Sequence, residues 1–331
     1  MERAADSPLR SQPSLPERAL SLPRLPMLST QTFTSLALLL TFGVTPTEAN
    51  DGGMSFSSQP RQSTVKKHAK WMSRLPENTS LSRLLLPGTH DSCALHDGFS
   101  FGFAKCQTWK LADQLDAGIR FIDIRCRHVG NKLLIYHGVI DQRTTFKEVR
   151  NVCREFLTQN PTECIVMSVK EESTAQDISR SFADTFADEI KNDGALWHIS
   201  RKIPQLSSVR NRIVLVDRVG TLSGLKWSEM ELQDHFNAPV ELKAKLIRSH
   251  LEKASKTEGR KWFINFCSGT LPGRLITPRD YASKSNAVTL QFLKESPPSS
   301  PVPMGIIVMD FPGEALIERI VEMNFANETA N

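Results

Sequence analysis

No Cys-x-x-Cys pair and no Cys/His cluster of metal-ligand spacing occurs in this 331-residue sequence, so a zinc site is not expected. A Gly-x-Gly-x-x-Gly turn after the first strand-like run is also missing, as is a Walker loop, which argues against dinucleotide and nucleotide binding. No segment repeats with a period of about 20–50 residues, so a solenoid or propeller is excluded. Charge of one sign does not dominate: 41 basic and 36 acidic residues leave +5, without the dense Lys/Arg stripes of a nucleic-acid binder. No apolar run is long enough for a membrane span. The remaining composition, 40% hydrophobic and 23% charged, fits a globular protein with ample length for a core.

Residues 1–64 carry five basic and five acidic residues, so the whole positive excess lies on residues 65–331. That mild excess favours an anionic partner. Residues 1–64 are read as a disordered amino-terminal segment, of which 1–30 are rich in Pro, Ser and Arg. A short apolar run follows at 33–44, ending in Thr-Pro-Thr-Glu-Ala49, with Met27 shortly before it. It suits the core of a secretory signal, here placed at 27–49. The mature protein is therefore expected to be secreted and soluble. Two sequons, at Asn78 and Asn327, agree with that route.

Six cysteines are present. In a secreted chain Cys93 and Cys106 form the best candidate bridge, because both lie in one Gly/Phe-rich loop. Cys126, Cys164 and Cys267 fall in strand-like runs and read as buried thiols.

From about residue 65 short apolar runs alternate with amphipathic segments. Strands are expected near 84–86, 120–125, 133–136, 164–169, 213–216, 262–266 and 305–309. Helices are expected at 146–159, 175–191, 240–254, 281–293 and 314–323, the first with Val149, Val152, Cys153 and Phe156 on one face. Such alternation gives an α/β protein, either a (β/α) barrel or an open doubly wound sheet. The Pro-rich stretch 297–303 is too short to divide it, so residues 65–331 are read as one catalytic domain.

Polar residues collect just after the strands: Thr89, His90 and Asp91 after the first, Arg125 and Arg127 at the second, His137 after the third. Lys170, Glu171 and Glu172 follow the fourth, Arg218 the fifth, and Asp310 the last. In a parallel barrel these positions converge on the carboxyl-terminal face. Two histidines with acids and cations in one pocket suit acid/base chemistry on a phosphate ester.

Leu86-Pro-Gly-Thr-His-Asp-Ser92, Gly118-Ile-Arg-Phe-Ile-Asp-Ile-Arg125 and Tyr136-His-Gly138 occur in this order, with 47 residues from His90 to His137. Together they resemble the X domain of phosphatidylinositol-specific phospholipase C, most closely its bacterial-type, metal-independent branch. The resemblance extends from about Trp71 to the last strand. It implies a single distorted TIM barrel and a phosphatidylinositol diacylglycerol-lyase that uses no metal or cofactor. It also implies a transient partner, phosphatidylinositol at a membrane surface; the enzyme is expected to be monomeric.

The resemblance further assigns roles. His90 would be the base that deprotonates the inositol 2-hydroxyl, and His137 the acid that protonates the departing diacylglycerol oxygen. Arg125 would bind a non-bridging phosphate oxygen. Asp310 would orient the base and Asp91 would pair with the acid. Lys170, Arg218 and Asp234 match inositol-contacting positions, and Phe236 stands where an aromatic residue stacks on the ring. Calcium-dependent relatives carry an acid at the position of Arg125 and an asparagine at that of Asp91. A guanidinium and a cation would neutralise the same charge, so Arg125 argues against calcium.

Beside these, Asp123 is read as positioning Arg125 or as structural, and Glu171 and Glu172 as solvated rim charges. The remaining histidines are read as structural. The segment Gly98-Phe-Ser-Phe-Gly-Phe103 is either a lipid-touching lip or a packed loop. Two other readings stay open: a metal-dependent glycerophosphodiesterase or sphingomyelinase D-like barrel, and a silent headgroup-binding module.

Overall fold

The computed structural model describes residues 54–295 and 303–325. The apolar run at 33–44, the signal proposed for 27–49 and the Asn327 sequon lie outside them, whereas Asn78 is exposed. Ordered packing begins earlier than residue 65. Phe56 bridges Pro312 and packs on Phe311 at 5.9 Å, and the Gln59 carbonyl accepts the Trp109 indole N–H at 3.1 Å. An aromatic side chain with an apolar seat thus draws in a stretch whose composition alone suggested disorder.

Among the described residues eleven strands alternate with six helices in the order β1 Leu85–Thr89, α1 Leu111–Ala117, β2 Phe121–Val129, β3 Lys132–His137, β4 Ile140–Thr145, α2 Phe146–Gln159, β5 Cys164–Glu171 and α3 Phe182–Ile190. There follow β6 Trp197–His198, β7 Arg212–Asp217, β8 Leu225–Lys226, β9 Glu231–Gln233, α4 Val240–Ser255, β10 Phe263–Phe266, α5 Pro278–Glu295, β11 Gly305–Met309 and α6 Glu314–Glu322. The sheet order is β6-β7-β5-β2-β1-β11-β10-β9, with every neighbouring pair on this path parallel. This is an α/β fold, a distorted TIM barrel. Among the described residues no ladder joins β9 to β6 or β8, so the ring is open at one seam.

Strands buried on both faces need apolar residues at every position. All five residues of β11 and the first six of β5 are buried accordingly. Helix α2 starts at a capping box, in which the Thr145 hydroxyl accepts the Glu148 N–H and Glu148 reaches back to the Thr145 N–H. The amino-terminal end of the barrel is plugged by a buried ion pair. Arg120 places two nitrogens on Glu163 Oε2, at 2.7 and 3.0 Å, and donates to the Leu115, Ile119 and Ala69 carbonyls. Function is left to the opposite end.

Two local expectations differ from the structure. Helix α3 begins at Phe182, not 175, because the Gln176 backbone is taken by the end of β2. Its N–H bonds the His128 carbonyl, and its carbonyl accepts from Gly130. Ser181 then caps the helix on the Asp184 N–H at 3.1 Å. The third strand is also not parallel: β2, β3 and β4 form an antiparallel meander that rises from the barrel mouth and returns.

Candidate active site

Strand β1 ends at Thr89, and the His90 N–H is held by the Met309 carbonyl of β11 at 2.9 Å. The next residue, Asp91, takes a left-handed φ of 38°, which aspartate tolerates better than most residues. His90 faces the cleft, whereas the Asp91 carboxylate is wholly buried.

The His90 ring is gripped on both edges. Its Nδ1 lies 2.8 Å from Asp310 Oδ1 and its Nε2 2.6 Å from Arg125 Nη2. A guanidinium can only donate, so Nε2 accepts and Nδ1 carries the proton to Asp310. Burial, reinforced by the Arg125 charge, pushes the imidazole well below its ordinary value. His90 is therefore a neutral base with its lone pair on Nε2. Burial, with the nearby Asp91 carboxylate, raises Asp310 well above the usual carboxylate range.

Arg125 closes the barrel portion of β2. Its Nε donates to Asp123 Oδ2 at 3.1 Å, Asp91 lies 3.8 Å away, and Nη1 is 3.8 Å from Glu172. Burial disfavours the guanidinium charge, but these three carboxylates outweigh it and raise the group further. Asp123 also accepts from Arg218 Nη1 at 3.0 Å and from Ser168 at 3.2 Å. Burial opposes its ionisation, yet the two arginines hold it far below its ordinary value.

His137 does not arrive at a parallel strand end. Strand β2 runs on past Arg125, and β3 returns antiparallel, with Cys126 opposite Ile135, so His137 descends to the level of Arg125. Its Nδ1 donates to the Ala104 carbonyl at 2.8 Å, and Asp91 lies 3.8 Å away, too far for a hydrogen bond. The acid–carboxylate pairing expected of Asp91 is thus electrostatic, and a backbone oxygen orients the ring. The two imidazoles stand edge to face, 6.3 Å between centroids.

A cleft of about 370 Å³ opens over these groups, lined by His90, Arg125, His137, Lys170, Arg218, Asp234, Phe236 and Asp310. Eight of the nine site residues expected from the sequence meet there, and the ninth, Asp91, lies beneath. Arg218 spans the open seam of the barrel, 3.9 Å from Asp234 and over the Trp227 ring at 4.2 Å. Phe236 is 56% exposed, its ring free to take a ligand face. Behind it, fully buried Lys243 donates to the His235 carbonyl at 3.3 Å and is pushed down to about 8 by burial. Gly269 also lines the cleft. A Cβ there would meet Tyr281 at 2.5 Å and the Phe236 carbonyl at 2.8 Å, so only glycine fits.

Two expectations are corrected. Glu172 is no rim charge: it is buried, accepts the Gly138 N–H at 3.0 Å, and pairs with Lys170. Cys93 and Cys106 are free thiols, as are the other four cysteines. The Cys106 N–H bonds the Ala94 carbonyl, so the two segments are close, but the side chains part. The Cys106 thiol faces His137 Nδ1 at 3.8 Å, whereas Cys93 lies toward Cys153 and Cys126. In the 98–103 segment Phe99 and Phe101 are 95% and 91% exposed, while Phe103 lines the cleft.

His90, Cys106 and Asp310 bring ligand-type atoms within 4.8 Å of one another, the one such trio among the described residues. Its nitrogen and carboxylate are already bonded to each other, and Arg125 supplies positive charge on the far edge of the ring.

Asp91 carries a further consequence. Burial pushes its carboxyl up to about 6, against the pull of Arg125 and His137, and neither oxygen has a hydrogen-bond partner. A carboxyl raised on folding favours the folded state below its unfolded value, and that advantage disappears as pH rises through the folded value. Asp91→Asn keeps the shape and tolerates the positive φ. It should therefore raise stability by about 1–3 kcal/mol at pH 8, the gain falling away as pH drops from about 6 to about 4, while lowering turnover. Urea unfolding of both proteins across this range checks it.

Residues 87–219 match the family described as phosphatidylinositol-specific phospholipase C, X domain. A 1-phosphatidylinositol phosphodiesterase of Listeria monocytogenes is 32% identical over 303 residues, 83% of this chain and 92% of that protein. One from Staphylococcus aureus strain Newman is 24% identical over 313 residues, 82% and 99% of the two chains. The solved phosphatidylinositol-specific phospholipase C of L. monocytogenes superposes with a TM-score of 0.69 at 32% identity, covering 78% of this chain and 98% of that one. Motif order, barrel and whole-length likeness agree, and the chain belongs to the bacterial-type phosphatidylinositol-specific phospholipase C family.

Proposed function

We propose that this protein is a secreted, metal-independent phosphatidylinositol phospholipase C that releases diacylglycerol and inositol 1,2-cyclic phosphate. The observation that carries the reading is the His90 ring held between Asp310 and Arg125, with a second imidazole across the same cleft. When the phosphodiester binds, Arg125 Nη2 passes from His90 Nε2 to a non-bridging phosphate oxygen, and the lone pair is freed. Nε2 takes the proton of the inositol 2-hydroxyl, and that oxygen bonds to phosphorus. The bond from phosphorus to the glycerol oxygen breaks, and His137 gives its Nε2 proton to the leaving oxygen. Asp91 and Asp310 stabilise the imidazolium forms; Asp123 fixes Arg125 and Arg218 together. Lys170, Arg218 and Asp234 offer polar contacts for inositol hydroxyls, and Phe236 offers a face.

Phe99 and Phe101 beside the cleft mouth form the lip that meets the bilayer interface, where exposed aromatic rings partition favourably. No helix among the described residues is long and apolar enough to cross a membrane. Membrane contact in this reading is peripheral and transient, made by a monomer from residues 65–331, after removal of a signal at 27–49.

Turnover of phosphatidylinositol vesicles in excess chelator tests the absence of a metal. Undiminished activity is expected. Loss in chelator with recovery on adding calcium would favour a metal-dependent phosphodiesterase. Binding to the vesicles without turnover in either condition would favour a headgroup-binding module.

A further inference from the structure

Asp97 opens the loop that carries Phe99 and Phe101, and its carboxylate ties that loop to itself. Oδ2 accepts the Gly102 N–H at 2.6 Å, Oδ1 accepts the Ala104 N–H at 3.2 Å, and the Ser100 hydroxyl bonds Oδ1 as well. Ser100 Oγ accepts the Ala104 N–H at 2.7 Å, and the Ser100 N–H returns to the Asp97 carbonyl at 3.1 Å. Burial opposes ionisation of Asp97, but these donors outweigh it and hold the carboxyl below its ordinary value. The backbone is left-handed at Gly98, Phe101 and Gly102, a path that needs such ties. Gly98 sits against Ile140 of β4 and Gly102 against the Thr277 methyl, so the loop is wedged between two elements.

The strap ends at the residue that matters to the chemistry. Ala104, whose N–H is held by both Asp97 and Ser100, presents its carbonyl to His137 Nδ1 at 2.8 Å. Asp91 is too distant for a hydrogen bond, and so this carbonyl is the direct oxygen partner of the ring. It fixes which nitrogen faces the cleft and the angle at which Nε2–H meets a leaving oxygen. An error of about 1 Å in such placement costs as much as about a hundredfold in rate.

We propose that Asp97 is a positioning residue for the general acid, acting through the Ala104 carbonyl on His137. The proposal rests on His137 being that acid.

Two water-soluble inositol phosphodiesters separate this role from support of the lip or of the fold. One carries an alkyl leaving group, which must be protonated as it departs. The other carries a nitrophenyl group, which leaves as a stable phenolate and needs no proton. Asp97→Ala should lower kcat on the alkyl diester at least about tenfold, and on the nitrophenyl diester less than about threefold. Asp97→Asn, which keeps one acceptor oxygen and the loop's shape, should show the same preference with a smaller loss. His137→Ala is measured beside them and should show the preference most strongly.

Equal losses on both diesters in the Asp97 variants, or none, with the preference intact in His137→Ala, would overturn the proposal and leave the acid assignment standing. Equal losses in His137→Ala itself would remove His137 as the acid, and the role of Asp97 with it.

Discussion

His90→Ala and His137→Ala should each lower kcat on phosphatidylinositol by about 10²–10⁴, with the circular dichroism spectrum unchanged. The size follows from the task of each ring. His90 has its Nε2 lone pair directed into the cleft by the Asp310 bond at Nδ1. Its removal also leaves the buried Asp310 without its imidazole partner and Arg125 without an acceptor at 2.6 Å. His137 faces the same cleft from the descending end of β3, where a truncated side chain opens no cavity in the apolar core. Steady-state kinetics on mixed micelles would measure both, and a near-normal rate in either variant would remove that residue from the mechanism.

Arg125→Lys should cost about 10²-fold or more in kcat/KM, although the positive charge survives. The guanidinium does three things at fixed angles: Nε holds Asp123, Nη1 approaches Glu172, and Nη2 covers His90. A lysine has one ammonium for all of them. It would bind Asp123 or the phosphate, and the buried carboxylates left over would pull it away from the developing phosphoryl charge. A loss below about threefold would mean that charge alone suffices and that the planar fork has no part in the reaction.

The convergence of His90, Arg125, Lys170, Arg218 and Asp310 was legible because parallel strands place their carboxyl ends on one face, and apolar runs mark where each strand stops. The same rule misled at β3. Leu133 to Tyr136 reads like any short buried strand, but β2 runs on past Arg125 to a full nine residues before the chain folds back, so His137 reaches the site from the opposite direction. The Ala104 carbonyl was invisible in the sequence because a backbone acceptor has no residue signature. Burial of Glu172 was equally hidden: its charge suggests solvent, and only the Lys170, Arg125 and Gly138 partners make an interior position tolerable. For Cys93 and Cys106, nearness along the chain was a poor guide, since a bridge depends on where the two Cβ vectors point. Helix periodicity extended to 175 for a related reason, because nothing in the apolar pattern records that the Gln176 backbone is claimed by β2.

Phosphorus NMR of phosphatidylinositol vesicles mixed with the full chain in excess chelator tests the lyase reaction most directly. The lipid phosphodiester resonance should fall while that of a five-membered cyclic inositol phosphate grows, before any inositol monophosphate is seen. Appearance of the acyclic monophosphate as the first product would contradict attack by the inositol 2-hydroxyl, and with it the assignment of His90 as the base.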